Sequence, residues 1–173
     1  MIDNLTIRKC VPGDEAALSL VGQASFLEAF AGTLDGRDIL AHCGRQHSED
    51  VYRTWLADPA VDIWVAESKD APVGYVVLAP SSLPVADPRP GDIEIKRVYL
   101  LHRFQGTGLG KALMETASSH ARATGKTRIL LGVYSGNTGA IAFYRKLGYV
   151  DVGTREFTVG NHTYHDLILA LPA

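Results

Sequence analysis

The sequence is poor in the residues and segments that mark secreted, fibrous or membrane proteins. Only 2 of its 173 residues are cysteine, Cys10 and Cys43. Two cysteines in a chain of this size do not make a disulfide framework, and we expect both to be reduced thiols, although the sequence leaves a single bridge open. The scarcity of cysteine therefore favours a cytoplasmic protein over a disulfide-stapled one.

Long apolar runs are absent as well. The run Val73–Ala79 is far too short to cross a bilayer, and the first ten residues lack the basic start and apolar stretch of a secretory signal. The chain also has no large excess of either charge, since 17 basic and 19 acidic residues give a net charge of −2. We therefore expect a cytoplasmic monomer or homodimer that binds neither nucleic acid nor membranes.

What the sequence does contain is typical of one globular domain. Hydrophobic residues make up 46% of the chain and charged residues 21%, which is enough apolar material for a sizeable core. A length of 173 residues favours one domain over residues 1–173.

The hydrophobic pattern alternates between strand and helix periods along the chain. Helices are expected after Asp14, which would cap the first, around 38–43, after Ser48, and over 106–124 and 138–147. Strands are expected over 5–9, 63–67, 73–78, 92–100 and 128–133, with two more around the turn at 159–161. This order predicts a mixed α/β domain with strand, glycine turn, helix, strand and helix at its centre.

The most informative segment is RFQGTGLGKAL, from Arg103 to Leu113, which places three glycines between a strand and a helix. Glycine lets the backbone approach a ligand, and a helix N-terminus offers free N–H groups and a positive dipole end. These features favour a phosphate site, although glycines also serve to connect a strand tightly to a helix.

Spacing excludes the common nucleotide motifs. A Walker A loop would need glycine at Gln105 and serine or threonine at Ala112, and a dinucleotide loop would need glycine at Lys111. The six histidines form no HExxH pattern and no paired cysteine motif accompanies them, so we expect no metal.

A third pattern matches. The segment Arg103–Gly108 resembles the R/Q-x-x-G-x-G/A pyrophosphate loop of the GNAT N-acetyltransferases. EIKRVYL before it and NTGAIAFYRKLGY after it resemble the family's preceding strand and later signature, so the resemblance covers Asp92–Tyr149. It implies the α/β (α+β) GNAT fold, a mixed sheet of about seven strands with helices on both faces, and acetyl transfer from acetyl-CoA to an amine.

The resemblance also implies roles for individual residues. Tyr144 would protonate the leaving thiolate, and Glu94 would accept the amine proton. The alternatives are a packing tyrosine and a carboxylate that is paired with Lys96 or Arg97. The residues expected to bind the coenzyme are Val98, Tyr99, Leu100, Arg103, Gln105, Gly106, Thr107, Gly108, Leu109, Gly110, Lys111, Asn137, Ala140, Phe143, Tyr144 and Lys146.

The resemblance implies that the acceptor site is shaped by residues from about Phe26 to Ser48 and by the C-terminal strands, and the segment SFLEAFAGTLDGRD lies at the start of this region. Its layout resembles the small-molecule and polyamine branch of the family, with Phe26, Glu28, Phe30 and Asp35 as expected acceptor-binding residues. The acids would attract a cationic primary amine. Protein N-termini, protein lysines, antibiotics and amino-acid derivatives stay open as acceptors, and a non-catalytic acyl-CoA-binding module stays open as an alternative.

Overall fold

A computed structural model describes residues 5–173, which form one seven-stranded mixed sheet with helices on both faces. The strands are β1 Leu5–Lys9, β2 Asp62–Ser68, β3 Ala71–Ala79, β4 Asp92–Leu100, β5 Arg128–Tyr134, β6 Val150–Val159 and β7 His162–Pro172. The helices are α1 Glu15–Phe30, α2 Gly36–Gln46, α3 Glu49–Ala57, α4 Leu109–Ala123 and α5 Thr138–Lys146.

The strands lie in the order β1-β2-β3-β4-β5-β7-β6. Every neighbouring pair is antiparallel except β4 and β5, which are joined through α4 and run parallel. The crossover helix covers one face, as parallel neighbours require. The predicted fold class is confirmed, and no helix within residues 5–173 is long and apolar enough to cross a membrane.

Each face of the sheet buries its own apolar cluster. On one face α4 and α5 pack over the middle strands through Leu113, Met114, Ala117 and Ile141. On the other face α1 and α3 pack over β2 and β3 through Leu18, Val21 and Tyr52. Cys10 and Cys43 are buried free thiols, as expected.

Two local predictions are corrected. The helix expected from Gly106 begins at Leu109, because Gly106 and Gly108 take φ values of 75° and 88° that an α-helix does not contain. The Asp14 side chain caps no helix. It instead accepts from Arg8 and from the Val11 N–H.

Candidate active site

The sheet opens at its centre. β4 pairs with β5 only from Asp92 to Glu94, whereas it pairs with β3 as far as Leu100. The edge of β4 that faces β5 is therefore free of strand partners after Glu94. Backbone N–H and C=O groups without partners are ready to bind an extended ligand.

A β-bulge in β4 decides which side chains face this opening. Val77 pairs with Arg97 and Leu78 with Ile95, so Lys96 is the extra residue of the bulge. Beyond it, Val98 and Leu100 pack toward α4, while Tyr99 packs toward α1 and α3. Such bulges redirect side chains next to functional sites.

The glycine turn follows the end of β4 that does not pair with β5. Gly106 and Gly108 have positive φ, and a Cβ at either position would meet no atom within 4 Å, so the turn faces open space. Within residues 5–173 the N–H groups of Gly106, Thr107 and Gly108 make no backbone hydrogen bond. The Thr107 hydroxyl instead donates to Phe104 O at 2.6 Å and fixes the turn.

The start of α4 extends this set of donors. Gly110 and Lys111 lie in the first turn, where backbone N–H groups have no partner inside the helix. A Cβ on Gly110 would lie 3.7 Å from the Phe143 ring, so α4 and α5 approach closely here. The exposed side chains of Arg103 and Lys111 flank the turn, and Lys111 pairs with Glu115 at 3.5 Å. Gln105 Nε2 donates to Leu100 O at 3.4 Å.

α5 places Tyr144 in the apolar cluster that also includes Val98 and Leu100 of β4. Asn137 begins the helix, since its Oδ1 accepts from the Ala140 N–H at 3.1 Å, as one of its predicted roles requires. Tyr144 is buried in the cluster beneath α4. Burial raises the pKa of its hydroxyl, and nearby Tyr149 and Tyr99 raise it further. The phenol therefore keeps its proton at neutral pH. Lys146 is exposed at the end of the helix.

Glu94 lies at the last paired residue before the strands part. It is 3% exposed and accepts from Lys96 Nζ at 2.8 Å and from the Ser82 N–H at 2.9 Å. Lys96 is one of the two residues, with Arg97, that the sequence offered as a possible partner of this carboxylate. A buried carboxylate held by two donors is fixed in place at the opening.

On the face of α1 and α3, a buried polar cluster stands beside the opening. Tyr52 Oη lies 2.7 Å from Tyr75 Oη and 2.9 Å from His47 Nδ1, and it accepts from Arg97 Nη1 at 3.0 Å. The His47 ring is 5.9 Å from the ring of Tyr99. The cluster joins α2 and α3 to the free half of β4.

The histidines of this cluster are neutral. Burial, and then the charge of Arg97 and of nearby His42, lower the pKa of His47 to about 3. Burial, and then Arg97 and Arg45, lower the pKa of His42 to about 4. At neutral pH these rings add polarity but no charge to the wall of the opening.

β7 and β6 continue the sheet beyond β5. Asp166 is 4% exposed and accepts from Arg155 Nε at 3.1 Å, while its Oδ1 has no hydrogen bond within residues 5–173. Burial raises the pKa of Asp166, although Arg155 opposes the shift. The Arg155 side chain lies flat on β5, because a Cβ on Gly132 would come within 2.9 Å of Arg155 Nη2.

The residues expected to bind the acceptor divide into two groups. Phe26 is 1% exposed and packs with Phe30, Leu34 and Ile39 in an apolar cluster. Its contact with an acceptor stays a prediction. Its ring stacks on His42 with centroids 4.2 Å apart.

The two acidic residues that are expected to attract the acceptor are exposed, and each already accepts a hydrogen bond from a backbone N–H group. Glu28 accepts from the His102 N–H at 2.9 Å, at the end of β4. Asp35 begins α2 and accepts from the Arg37 N–H at 2.8 Å. The sequence missed Arg97, His47 and Asp166, whose only signal was a charged or polar residue in an otherwise apolar strand or helix.

The opening suits a coenzyme with a pyrophosphate and an extended amide arm. The N–H groups of Gly106, Thr107 and Gly108, together with those of Gly110 and Lys111 in the first turn of α4, belong to a glycine turn and a helix N-terminus, a combination that suits phosphate. The unpaired edge of β4 offers backbone donors and acceptors for the amide groups of the arm. Among residues 5–173 no group of three potential ligands could hold a metal ion.

The comparison with known families agrees with this geometry. Residues 33–149 match the model of the acetyltransferase (GNAT) family. The chain belongs to this family, and it is an acetyl-CoA-dependent N-acetyltransferase.

Individual relatives make the same point. An uncharacterized N-acetyltransferase of Mycobacterium tuberculosis is 35% identical over 118 residues, which are 68% of this chain and 71% of that protein. Human N-acetyltransferase 8 is 31% identical over 134 residues, which are 72% of this chain and 56% of that protein.

Solved structures share the whole fold. The PaiA N-acetyltransferase of Thermoplasma acidophilum, in complex with coenzyme A, superposes with a TM-score of 0.77. It is 18% identical, and the match covers 98% of this chain and 99% of that one. YncA of Salmonella typhimurium with acetyl-CoA has a TM-score of 0.66 at 22% identity, over 98% of this chain and 94% of that one.

Proposed function

We propose that the protein acetylates the primary amine of a small molecule by direct attack in a ternary complex with acetyl-CoA. The observation that carries the proposal is the opening between β4 and β5, with the free N–H groups of the glycine turn at its end and Tyr144 beside it. When bound, acetyl-CoA supplies an activated acetyl group as a thioester.

The residues of the chain then have distinct tasks. The glycine turn binds phosphate, and a backbone N–H of Val98, Tyr99 or Leu100 donates to the thioester oxygen. Glu94 accepts the proton of the amine, directly or through water, and Tyr144 donates a proton to the departing sulfur. The Tyr144 hydroxyl carries a proton at neutral pH, as a donor must, although the burial that raises its pKa makes it a weaker acid.

The contact between α2 and the turn that joins β6 to β7 favours a small acceptor over a polypeptide. The N-terminal half of α2 contacts the turn between β6 and β7, where Asp38 lies 3.7 Å from His162. Ile39 and Val159 share one apolar cluster at the same place. A peptide chain needs a groove that is open along its length, whereas a small amine does not.

Within this class the sequence favours a polyamine-like amine, on the strength of Glu28 and Asp35. Both carboxylates are exposed, so salt screens their attraction for a cation. The hypothesis predicts that a Glu28→Gln/Asp35→Asn double variant raises the KM for spermidine without changing the affinity for acetyl-CoA. An unchanged KM would remove its basis.

Release of the coenzyme thiol from acetyl-CoA, measured with a panel of small amines and with peptide N-termini and lysines, tests the proposed function. We expect turnover with small amines. Robust acetylation of peptides alone would favour the polypeptide alternative. Tight binding of acetyl-CoA without thiol release across the whole panel would favour a non-catalytic module.

A further inference from the structure

Arg97 stands out among the charged residues of the opening because it has no acidic partner. Its Nη1 donates to Tyr52 Oη at 3.0 Å, and its Nη2 lies 3.5 Å from Gln46 Oε1. The guanidinium also stacks over the Trp55 ring, 4.6 Å from the centroid. Within residues 5–173 no carboxylate forms an ion pair with it.

The other buried or half-buried charges near the opening are paired. Lys96 binds Glu94 at 2.8 Å on β4. Arg155 binds Asp166 at 3.1 Å across β6 and β7, so the one buried carboxylate of these two strands already faces a cation. These two pairs leave the positive charge of Arg97 without a compensating negative charge.

An uncompensated charge that is withdrawn from water destabilises a protein unless a partner is supplied. The Trp55 ring offsets part of this cost through a cation–π contact, and the Tyr52 hydroxyl and the Gln46 amide accept from Nη1 and Nη2, with the neutral His47 Nδ1 3.4 Å from Nη1. Neither a phenol nor an amide neutralises the charge. A bound anion would.

In the part of the chain that the structure describes, the side chains next to Arg97 supply no negative charge, so the compensating anion would come from a ligand. His42 and His47 beside it are neutral, and the charge of Arg97 contributes to the lowering of both their pKa values. Arg97 precedes Tyr99 by two residues on the free half of β4, on the face that holds the polar cluster. An anion on Arg97 would therefore lie beside the opening that receives the acetyl group.

The geometry points to an acceptor amine that also carries an anionic group, of the carboxylate type, which binds the Arg97 guanidinium. This inference rests on the proposed function and names the substrate class of the same site. It favours amino acids and their derivatives over polyamines, because a half-buried cation acts more strongly than the exposed carboxylates of Glu28 and Asp35.

The test uses acceptors that are matched in size and shape and differ in whether they carry the anionic group. Amino acids with the amine α, β or γ to the carboxylate are each compared with their own amide, by thiol release from acetyl-CoA. Loss of one charged hydrogen bond costs about 1.5–3 kcal/mol, so the best acid should exceed its amide about 10- to 100-fold in kcat/KM. The amide has the less basic amine, so a preference for the acid cannot come from easier deprotonation.

Variants then assign the preference to Arg97. Arg97→Gln should raise the KM for the acid to that for its amide and leave the Kd for acetyl-CoA unchanged, whereas Arg97→Lys should keep part of the preference. Arg45→Gln, on the exposed surface of α2, is the matched control and should keep all of it. The thermal unfolding midpoint reports whether each variant is folded.

Equal turnover of acids and amides, or a preference for spermidine over every acid, would overturn the inference and leave the proposed function intact. Should Arg97→Gln not fold, the comparison of acids with amides in the wild-type protein and in Arg97→Lys still decides. Acetyl-CoA binding without thiol release on any acceptor would contradict the proposed function, and the inference with it.

Discussion

Glu94 and Lys96 form an ion pair of 2.8 Å on strand β4, at the point where β4 leaves β5. The bulge at Lys96 lies within this pair, so the same irregularity that redirects the strand also holds the carboxylate. Glu94 is 3% exposed, and its partner is the more exposed of the two. The pair thus fixes a carboxylate at the point where β4 and β5 part.

Neutralising this carboxylate should change the pH dependence of the reaction. We expect Glu94→Gln to flatten the acidic limb of the kcat/KM profile, because a proton acceptor is lost, and to leave acetyl-CoA affinity unchanged. Lys96→Gln keeps the carboxylate but removes its cationic partner, so the limb should remain and move to higher pH. An unaltered profile in Glu94→Gln would make Glu94 a structural residue.

Removing the Tyr144 hydroxyl should slow the reaction without weakening coenzyme binding. We expect Tyr144→Phe to lower kcat by up to about 100-fold, since the phenol acts on the leaving sulfur. Tyr149→Phe is the control, because its hydroxyl is also buried and has no hydrogen bond within residues 5–173. Equal kcat values for the two variants would refute the donor role of Tyr144.

The glycine turn should no longer bind acetyl-CoA when a side chain strains its backbone. Gly108→Val places a side chain at a φ of 88°, so we expect acetyl-CoA binding to be lost in calorimetric titration. Gly125→Val imposes the same kind of strain, at a φ of 77° and away from the turn. Both should lose about 1–2 kcal/mol of stability, but only the first should lose the ligand. Retained affinity in Gly108→Val would contradict the phosphate site.

The buried neutral His47 should make the fold sensitive to acid. Its pKa is about 3 in the folded protein, chiefly because of burial, against an ordinary value of 6.5. Between these values the unfolded chain binds more protons, so the free energy of unfolding falls as the pH falls from about 6.5 toward 3. For one group the slope reaches about 1.4 kcal/mol per pH unit.

Urea unfolding at pH 7 and pH 5 measures this slope. We expect His47→Gln to reduce it by the contribution of one proton, whereas His165→Gln, which changes an exposed ring, should leave it at the wild-type value. The same slope in both variants would show that His47 does not carry the effect.

Local sequence determined most of the elements and the coenzyme turn. β4 has the predicted bounds, Ser48 and Asn137 begin their helices, and the glycines from Gly106 to Gly110 lie where the motif places them. These features depend on residues a few positions apart, because capping bonds and positive φ values are local properties of the backbone. Local sequence can therefore predict them.

The acceptor side was decided by tertiary structure. The bulge at Lys96 turns Arg97 and Tyr99 toward α1 and α3, and simple alternation from Ile95 would place both toward α4. The partners of Glu28 and Arg97 are 74 and 45 residues away, at His102 and Tyr52. Whether a charge is paired, buried or free depends on which distant segments pack against it, and the local pattern of residues does not contain that information.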